Sequence, residues 1–347
     1  MTEITFGMVG CGNIAGYVAD SFEDAAGARL VGASDVAEAN AREFAAEYGV
    51  DEWHTDHEAM FAEREPDVAI VATPNGAHAD VVVDAARAGV HVLCQKPLEI
   101  RVEALDRMVD ACDDHDVSFG ALMNSRFRAD AQAARYAVEE GVLGDVLLAN
   151  GICPVWRSAD YFQGWHGTAD LDGGVLFSQA IHLVDRLAWL NDGVERVFAD
   201  LDTAVHDIEV EDVASVQVRY GNGARGTITA STATRNYPHY DRLDLHGEAG
   251  HLVAGSGEVL SFDSDDADEL DFENPDDRGG FTIQVEDMAE AVRDGRDPLV
   301  TGREARHPCD AVAAMHASSE RDEPVVVDEY VAEVRGAVRG GEGSGTR

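Results

Sequence analysis

The residue best suited to proton chemistry in this chain is Lys96, its only lysine. It lies in the segment Cys94-Gln95-Lys96-Pro97-Leu98, directly after the short apolar run 90–93. Lysine carries a compact ammonium whose pKa moves readily with burial and with neighbouring charge. Because the run predicts a strand that ends just before Lys96, we expect this ammonium to face a reactive centre. The alternative is chance placement of a single residue.

A second proton-handling candidate, His182, lies in a helical pattern over 174–190. Four residues of this pattern follow at spacings of i, i+4, i+7 and i+11 on one helix face: Ser178, His182, Asp185 and Trp189. A histidine between a hydroxyl and a carboxylate can be held as a general base. The pattern also fits a core histidine with satisfied hydrogen bonds, so both interpretations stay open from this helix alone. No second His or Cys lies at ligand spacing, so we expect no metal site.

A glycine-rich turn at residues 10–15, Gly-Cys-Gly-Asn-Ile-Ala, follows the first predicted strand. This G-x-G-x-x-A form permits a tight turn, lets the backbone approach a pyrophosphate and lets the next helix pack closely on the strand. Asp35 ends the second predicted strand, about twenty residues on, where a carboxylate accepts hydrogen bonds from the adenosine ribose. Because it would repel a 2′-phosphate and no arginine follows it directly, the sequence favours NAD over NADP. Asp35 as a simple turn residue is the alternative.

A third polar segment, Thr73-Pro74-Asn75, also stands at the end of a predicted strand. In a doubly wound sheet, ligands bind beyond the carboxyl ends of the strands, and Lys96 follows the next strand to the same edge. His78 continues this segment and is interpreted as an N-terminal helix residue rather than a catalytic one. The residues predicted to bind the dinucleotide are Gly10, Gly12, Asn13, Ile14, Asp35, Thr73, Pro74, Asn75, His78 and Gln95.

Short apolar runs alternate with helical patterns up to residue 123, which predicts βαβ units and a parallel sheet covered on both faces. Beyond it, alternating strand patterns predict a large, open, mostly antiparallel sheet. These strands are expected at 215–220, 226–232, 243–247, 251–254 and 259–262. The sequence therefore predicts an α/β protein with a Rossmann dinucleotide-binding domain at 1–123, a second α/β domain at 124–335 and a flexible tail at 336–347.

Composition restricts the setting and the partners. The net charge is −41 and 45% of residues are hydrophobic, which predicts a packed core within an acidic surface rather than a disordered chain. Concentrated salt screens such repulsion, so this charge and the loss of lysine favour a halophilic protein over an acidic mesophilic one. Nucleic acid and anionic membranes are poor partners for this surface. Scattered cysteines without a C-x-x-C, and no secretion signal or spanning segment, predict a cytoplasmic protein.

Taken together, these segments resemble the Gfo/Idh/MocA family, named after glucose–fructose oxidoreductase and inositol dehydrogenase. The resemblance covers about residues 3–327 and implies a Rossmann domain followed by a substrate-binding α/β domain. The open sheet of that second domain commonly mediates oligomerisation, so a homodimer or homotetramer is expected. Matching segments are 10–15, 72–75 with His78, 92–98, 124–127, 140–144, 173–174 running to His182 and Asp185, and 302–305.

The family's Glu-Lys-Pro signature reads Gln95-Lys96-Pro97 here, and the resemblance implies that Lys96 is its catalytic lysine. An Asp that many relatives carry four residues before the catalytic histidine is replaced by Ser178. Segments 156–161, 165–168 and 178–182 look closer to a branch that includes UDP-sugar-acid 3-dehydrogenases.

The expected activity is NAD(P)-dependent oxidation of a secondary hydroxyl of a sugar, cyclitol or sugar derivative such as a nucleotide sugar. His182 would remove the hydroxyl proton, and Lys96 would donate a hydrogen bond to the developing alkoxide. Two alternatives are a non-catalytic dinucleotide-binding regulator and a glycosidase-like eliminase that retains its NAD. The expected substrate contacts are Arg126, Arg157, Tyr161, Trp165, His166, Ser178 and Asp185.

Overall fold

A computed structural model describes residues 3–342 of the chain, which divide into two compact units. The first unit comprises the described residues up to Glu99, together with Ala104–Asn124 and Arg278–Arg306. The second comprises Ile100–Glu103, Ser125–Asp277 and the described residues from His307 onward.

The first unit is built on a six-stranded parallel sheet in the order β3-β2-β1-β4-β5-β6. This is the strand order of a doubly wound dinucleotide-binding fold, as the sequence predicts. Its strands are Ile4–Val9 (β1), Ala28–Ser34 (β2), Trp53–His54 (β3), Val68–Val71 (β4), His91–Cys94 (β5) and Phe119–Ala121 (β6). The helices between them are Asn13–Asp20 (α1), Glu38–Tyr48 (α2), His57–Arg64 (α3), His78–Arg87 (α4) and Val102–Asp114 (α5).

The second unit contains an eight-stranded sheet in the order β13-β12-β11-β7-β10-β9-β8-β14. Among its described strands only β7 and β10 pair in parallel, which confirms the mostly antiparallel sheet. Its strands are Val146–Pro154 (β7), Val194–Asp202 (β8), Val213–Tyr220 (β9), Arg225–Ser231 (β10), Arg242–Gly247 (β11), Gly250–Gly255 (β12), Glu258–Ser264 (β13) and Val325–Val326 (β14). The later helices of the chain are Ala129–Glu139 (α6), Gly174–Ser178 (α7), Ile181–Leu190 (α8), Gly280–Asp294 (α9), Gly302–Arg321 (α10) and Val327–Glu342 (α11).

Helix α8 packs directly on one face of the second sheet. A Cβ added at Gly151 of β7 would lie 2.8 Å from the side chains of Leu183 and Leu187, so the strand and the helix approach closely. Most residues of α8 are buried.

The structure differs from the predicted boundaries. Residues 100–103, predicted within the first domain at 1–123, belong to the second unit. Residues 278–306, predicted within the second domain at 124–335, belong to the first unit, because Val285 and Met288 of α9 join the core cluster around Phe6 and Met8. The segment 336–347, predicted as a flexible tail, continues as helix α11 to Glu342, and residues 343–347 lie outside the described chain. None of the helices in residues 3–342 is long and apolar enough to cross a membrane.

Gly10→Ala is expected to destabilise the first unit. Gly10 has a φ of +89°, and an added Cβ would lie 2.6 Å from the carbonyl carbon of Ala72. The backbone conformation costs about 1–2 kcal/mol in the free energy of unfolding, and the clash adds about 1–3 kcal/mol.

Gly49→Ala is the matched control, because Gly49 has a φ of +66° and nothing lies within 4 Å of its Cβ position. Chemical denaturation should show the conformational cost alone in this variant. Equal losses in the two variants would contradict the close approach of Gly10 to Ala72.

Candidate active site

The glycine turn presents an open surface at the start of α1. Gly10 turns the chain against the backbone of Ala72, whereas nothing lies within 4 Å of a Cβ built on Gly12, the N-cap of the helix. Gly12 and Asn13 are exposed, and Ile14 is half-buried. A pyrophosphate can therefore approach the backbone at Gly12 and meet the positive end of the α1 dipole. This arrangement fits a dinucleotide.

Asp35 links the two loops at the neighbouring strand ends. Its carboxylate accepts hydrogen bonds from the backbone N–H groups of Cys11 (2.9 Å) and Ala37 (2.8 Å). Burial, with the charge of Asp35 as the second cause, raises the pKa of the Cys11 thiol to about 12, so this cysteine stays protonated. The half-exposed carboxylate is placed to accept ribose hydroxyls, and residues 36–41 contain no cation for a 2′-phosphate.

The carboxyl ends of β4 and β5 carry polar atoms suited to a ligand. Thr73 Oγ1 and Gln95 Nε2 are buried and have no hydrogen-bond partner among the residues described. Gln95 Oε1 accepts the backbone N–H of Lys96 at 3.3 Å, and Asn75 is also buried here. Buried polar groups are normally hydrogen-bonded. The unpaired atoms therefore fit the polar groups of a nicotinamide and its ribose, and Thr73, Asn75 and Gln95 would hold this part of the cofactor.

His78, predicted as a cofactor contact, instead joins the two loops that flank this edge. Its Nε2 lies 2.8 Å from the carbonyl oxygen of Thr73, and its Nδ1 lies 3.0 Å from that of Pro97 and 3.1 Å from that of Leu98. Burial lowers the pKa of His78, and the Lys96 charge adds to the effect. His78 is 1% exposed, so it contacts the backbone after Lys96 from the protein interior.

In the second unit, His182 lies within hydrogen-bond distance of a hydroxyl that the sequence did not single out. Ser125 Oγ is 3.1 Å from His182 Nδ1, and Ser125 is 4% exposed. The next residue, Arg126, donates from Nε and Nη2 to the Asp185 carboxylate at 2.8 and 2.6 Å. Arg126 and Asp185 were predicted as substrate contacts, but the structure pairs them with each other in the interior. The sequence contains a signal for these contacts. Ser125 and Arg126 are adjacent, and their partners His182 and Asp185 are three residues apart on one helix.

The helical pattern predicted over 174–190 is broken in the structure between α7 and α8. The N–H groups of Gln179 and Ala180 both point to the Val175 carbonyl, so the regular i to i−4 ladder is interrupted. Ser178 ends α7, and its hydroxyl donates to the Gly174 carbonyl at 2.8 Å. The single continuous helix face predicted for Ser178, His182, Asp185 and Trp189 is therefore wrong at Ser178.

Gln179, at this break, organises a cluster of cationic and aromatic side chains. Its Oε1 accepts from Arg157 Nη2 (2.5 Å) and from the Tyr240 hydroxyl (3.2 Å), and its Nε2 donates to the Tyr161 oxygen (3.0 Å). The Arg157 guanidinium lies 4.8 Å from the centre of the Tyr161 ring, and Tyr161 stacks on His166. Gln179 lies in segment 178–182, which carries the family resemblance, but it is not among the predicted site residues. Tyr240 has no sequence signal, because only the folded chain brings it to Gln179.

This cluster suits an anionic or polar ligand. Burial, with the Asp172 charge as the second cause, raises the pKa of Tyr161 to about 12, so its phenol keeps a proton that it can donate. Trp165 lies against His166, with ring centres 3.8 Å apart. Of the predicted substrate contacts, the structure brings together Arg157, Tyr161, Trp165 and His166.

One further group of potential ligands lies on the first unit. Single atoms of Glu52, His54 and Glu63 lie within 4.8 Å of one another. Glu52 already pairs with Arg64 at 3.2 Å, and both glutamates are exposed, so the group resembles an ordinary surface ion cluster.

The fold and the polar strand edge together define an NAD-binding oxidoreductase. The Rossmann-fold model of the Gfo/Idh/MocA family, described as an NAD-binding oxidoreductase family, matches residues 4–122, and the C-terminal domain model matches residues 131–253. The chain belongs to this family, as its motifs predict.

The chain is similar over most of its length to several dehydrogenases. The chain is 28% identical to the WlbA dehydrogenase of Chromobacterium violaceum, whose structure contains NADH and UDP-GlcNAcA; the match covers 94% of this chain and 96% of that one, with a TM-score of 0.88. The corresponding Bordetella pertussis enzyme, with the same two ligands, is 26% identical over 94% and 98% of the chains, with a TM-score of 0.86. Myo-inositol 2-dehydrogenase of Thermotoga maritima is 26% identical over 94% of this chain and 99% of its own length. These relatives confirm the prediction of NAD as cofactor and of a dehydrogenase acting on CH–OH.

Asp185→Asn is expected to lower the free energy of unfolding by about 3–5 kcal/mol, because it leaves the Arg126 charge buried without its counter-ion. The Arg126 and Asp185 side chains are 6% and 0% exposed. Glu139→Gln removes an exposed carboxylate from the i,i+4 pair with the half-buried Arg135 and should cost about 0.3–0.5 kcal/mol. Urea denaturation compares the two; a similar small loss in both would contradict a buried, uncompensated charge.

Proposed function

We propose that this protein is an NAD-dependent dehydrogenase that oxidises a secondary hydroxyl of a sugar, cyclitol or sugar derivative. The observation that carries the proposal is the polar edge beyond β4 and β5. There Lys96 follows Gln95, and the buried atoms Thr73 Oγ1 and Gln95 Nε2 have no partner in the described part of the chain. Family membership and the NADH-containing relatives support the same function.

The chain's own residues would handle the proton of the reaction. His182 takes the proton of the substrate hydroxyl as general base, and Lys96 donates a hydrogen bond to the oxygen as negative charge develops there. Bound NAD supplies the acceptor for the hydride, which leaves the same carbon with its electron pair. The products are a ketone, NADH and a proton on His182, so atoms and charge balance.

We further propose an acidic sugar, such as a nucleotide-sugar acid, as the substrate class. Arg157 is held by Gln179 and lies over Tyr161, which leaves a fixed cation in a chain of net charge −41. A guanidinium recognises carboxylate or phosphate with two parallel donors. The bound UDP-GlcNAcA of the two WlbA dehydrogenases supports this choice.

The surface charge suggests the working conditions. We propose that the protein functions in a concentrated-salt cytoplasm, because self-repulsion of −41 charges is screened there and the scattered cysteines suit a reducing compartment. We propose a homodimer or homotetramer from the family resemblance of the open sheet in the second unit. Light scattering in multimolar KCl and in dilute buffer tests the assembly and its salt requirement.

A screen of sugars, cyclitols and UDP-sugar acids with NAD and with NADP, in multimolar KCl, tests the proposed function. NADH formation with an acidic sugar is expected, together with a ketone product found by mass spectrometry. Tight NADH binding with no turnover of any compound would instead indicate a regulator. A changed product without net NADH would indicate an eliminase.

Lys96→Ala and His182→Ala are each expected to lower turnover by at least about 100-fold, the usual contribution of a positioned acid–base group. NADH binding, followed by fluorescence, should be retained in both variants. His115→Ala removes an exposed histidine at the end of α5 and should leave turnover unchanged. Wild-type turnover in both active-site variants would refute the mechanism.

Gln179→Glu is expected to raise KM for an acidic sugar by about tenfold, because its carboxylate would neutralise Arg157 and weaken a charge-assisted contact. The two groups are 2.5 Å apart in the native protein. KM for the matching neutral sugar should stay within about twofold, since a neutral ligand gains little from the guanidinium charge. Equal changes for both sugars would argue against recognition of the substrate charge by Arg157.

A further inference from the structure

We infer that the turn containing Ser125 and Arg126 fixes the tautomer of His182, so that Nε2 is the atom that exchanges the proton with substrate. This inference rests on the proposed function and assigns Ser125 as a positioning residue. The contact that carries it is the 3.1 Å distance from Ser125 Oγ to His182 Nδ1, within a site where Ser125 is 4% exposed.

Arg126, the residue after the serine, fixes the turn through its backbone and through its side chain. The Arg126 carbonyl accepts a hydrogen bond from the Gln132 side-chain amide of α6 at 2.7 Å. The Arg126 guanidinium donates two hydrogen bonds to the Asp185 carboxylate of α8. Asp185 lies three residues after His182, so one turn of α8 carries both contacts. Ser125 therefore cannot move away from His182 without breaking a buried ion pair.

The direction of the serine bond follows from the proton that His182 must carry. In a neutral imidazole only one nitrogen has hydrogen, and in the imidazolium both have it. If Nδ1–H donates to Ser125 Oγ, the same bond persists when Nε2 takes a proton, and no hydroxyl has to rotate during the step. A donor arrangement that is already in place costs no reorganisation.

Each ring nitrogen of His182 then has a separate role in the proton transfer. The substrate O–H bond breaks, its proton forms a bond with Nε2, and Nδ1–H continues to donate to Ser125 Oγ. A serine oxygen is neutral, so it orients the ring without adding the negative charge that an aspartate partner would supply. This supplies an orienting contact for His182 in a chain where Ser178 stands at the position of the family's acid.

Ser125→Ala tests the assignment in the full-length protein with NADH bound. We expect kcat to fall about tenfold, with KM and the Kd for NADH within about twofold. Ser125→Thr restores a hydroxyl and should recover kcat to within about threefold of wild type. Ser21→Ala removes another buried hydroxyl, one that donates to the Val18 carbonyl, and should leave kcat unchanged.

Nitrogen-15 NMR of histidine-labelled protein, with His182 assigned from a His182→Gln spectrum, reads the tautomer without any turnover. The wild-type and Thr proteins should show a protonated Nδ1, and the Ala protein should show a mixture of tautomers or Nε2–H. An unchanged tautomer in Ser125→Ala, or a Thr variant as impaired as Ala, would overturn the inference. Because the spectrum needs no substrate, its result stands apart from failure of the proposed dehydrogenase activity.

Discussion

Several buried charges of the second unit form arginine–carboxylate ion pairs, and these pairs restrict the position of helix α8. Two consecutive residues of α8 take part: Asp185 binds Arg126, and the fully buried Arg186 forms ion pairs with Asp130 of α6 and with Asp241, next to β11. Desolvating any of these charges alone would cost several kcal/mol, so each partner must stay in place. The position of His182 follows from this requirement.

Arg128 belongs to the same network of ion pairs, and its pKa reflects both its burial and the charges of its partners. Its guanidinium bonds to Asp130 at 2.6 Å and to Asp241 at 3.3 Å. Burial alone would lower the pKa of Arg128, but the charges of the two aspartates outweigh it and raise the pKa. Arg126, Arg128 and Arg186 therefore stabilise the interior of this unit, whereas Arg157 contacts the aromatic cluster around Gln179.

The sequence predicts the parts of the fold whose chemistry is local. The strands of the first sheet follow from apolar runs, and the tight turn at Gly10 follows from its spacing to Gly12. The broken helix could not be predicted in this way, because the apolar period continues across Gln179 while its side chain bonds to Arg157 and Tyr161. Likewise, the assignment of α9 to the first unit depends on long-range packing of Met288, which leaves no local pattern.

The residues of the candidate site also fall into two groups, those with a local sequence signal and those whose contacts are long-range. Residue types and strand ends were enough to single out Asp35, Thr73 and Lys96. The contacts of His78 and Ser125 depend on loops and helices that are far apart in sequence. The sequence predicts Arg126 as a substrate contact, whereas the structure shows its charge buried and paired with Asp185.

The solitary lysine also has a practical consequence. A protein grown with isotope-labelled lysine would carry the label in Lys96 alone, so its spectrum would contain one side-chain amine signal that needs no assignment. In most proteins the amine of one lysine must be found among many surface amines. Here the charge state of the Lys96 amine could be followed directly during cofactor and substrate binding. No other lysine side chain would contribute a signal.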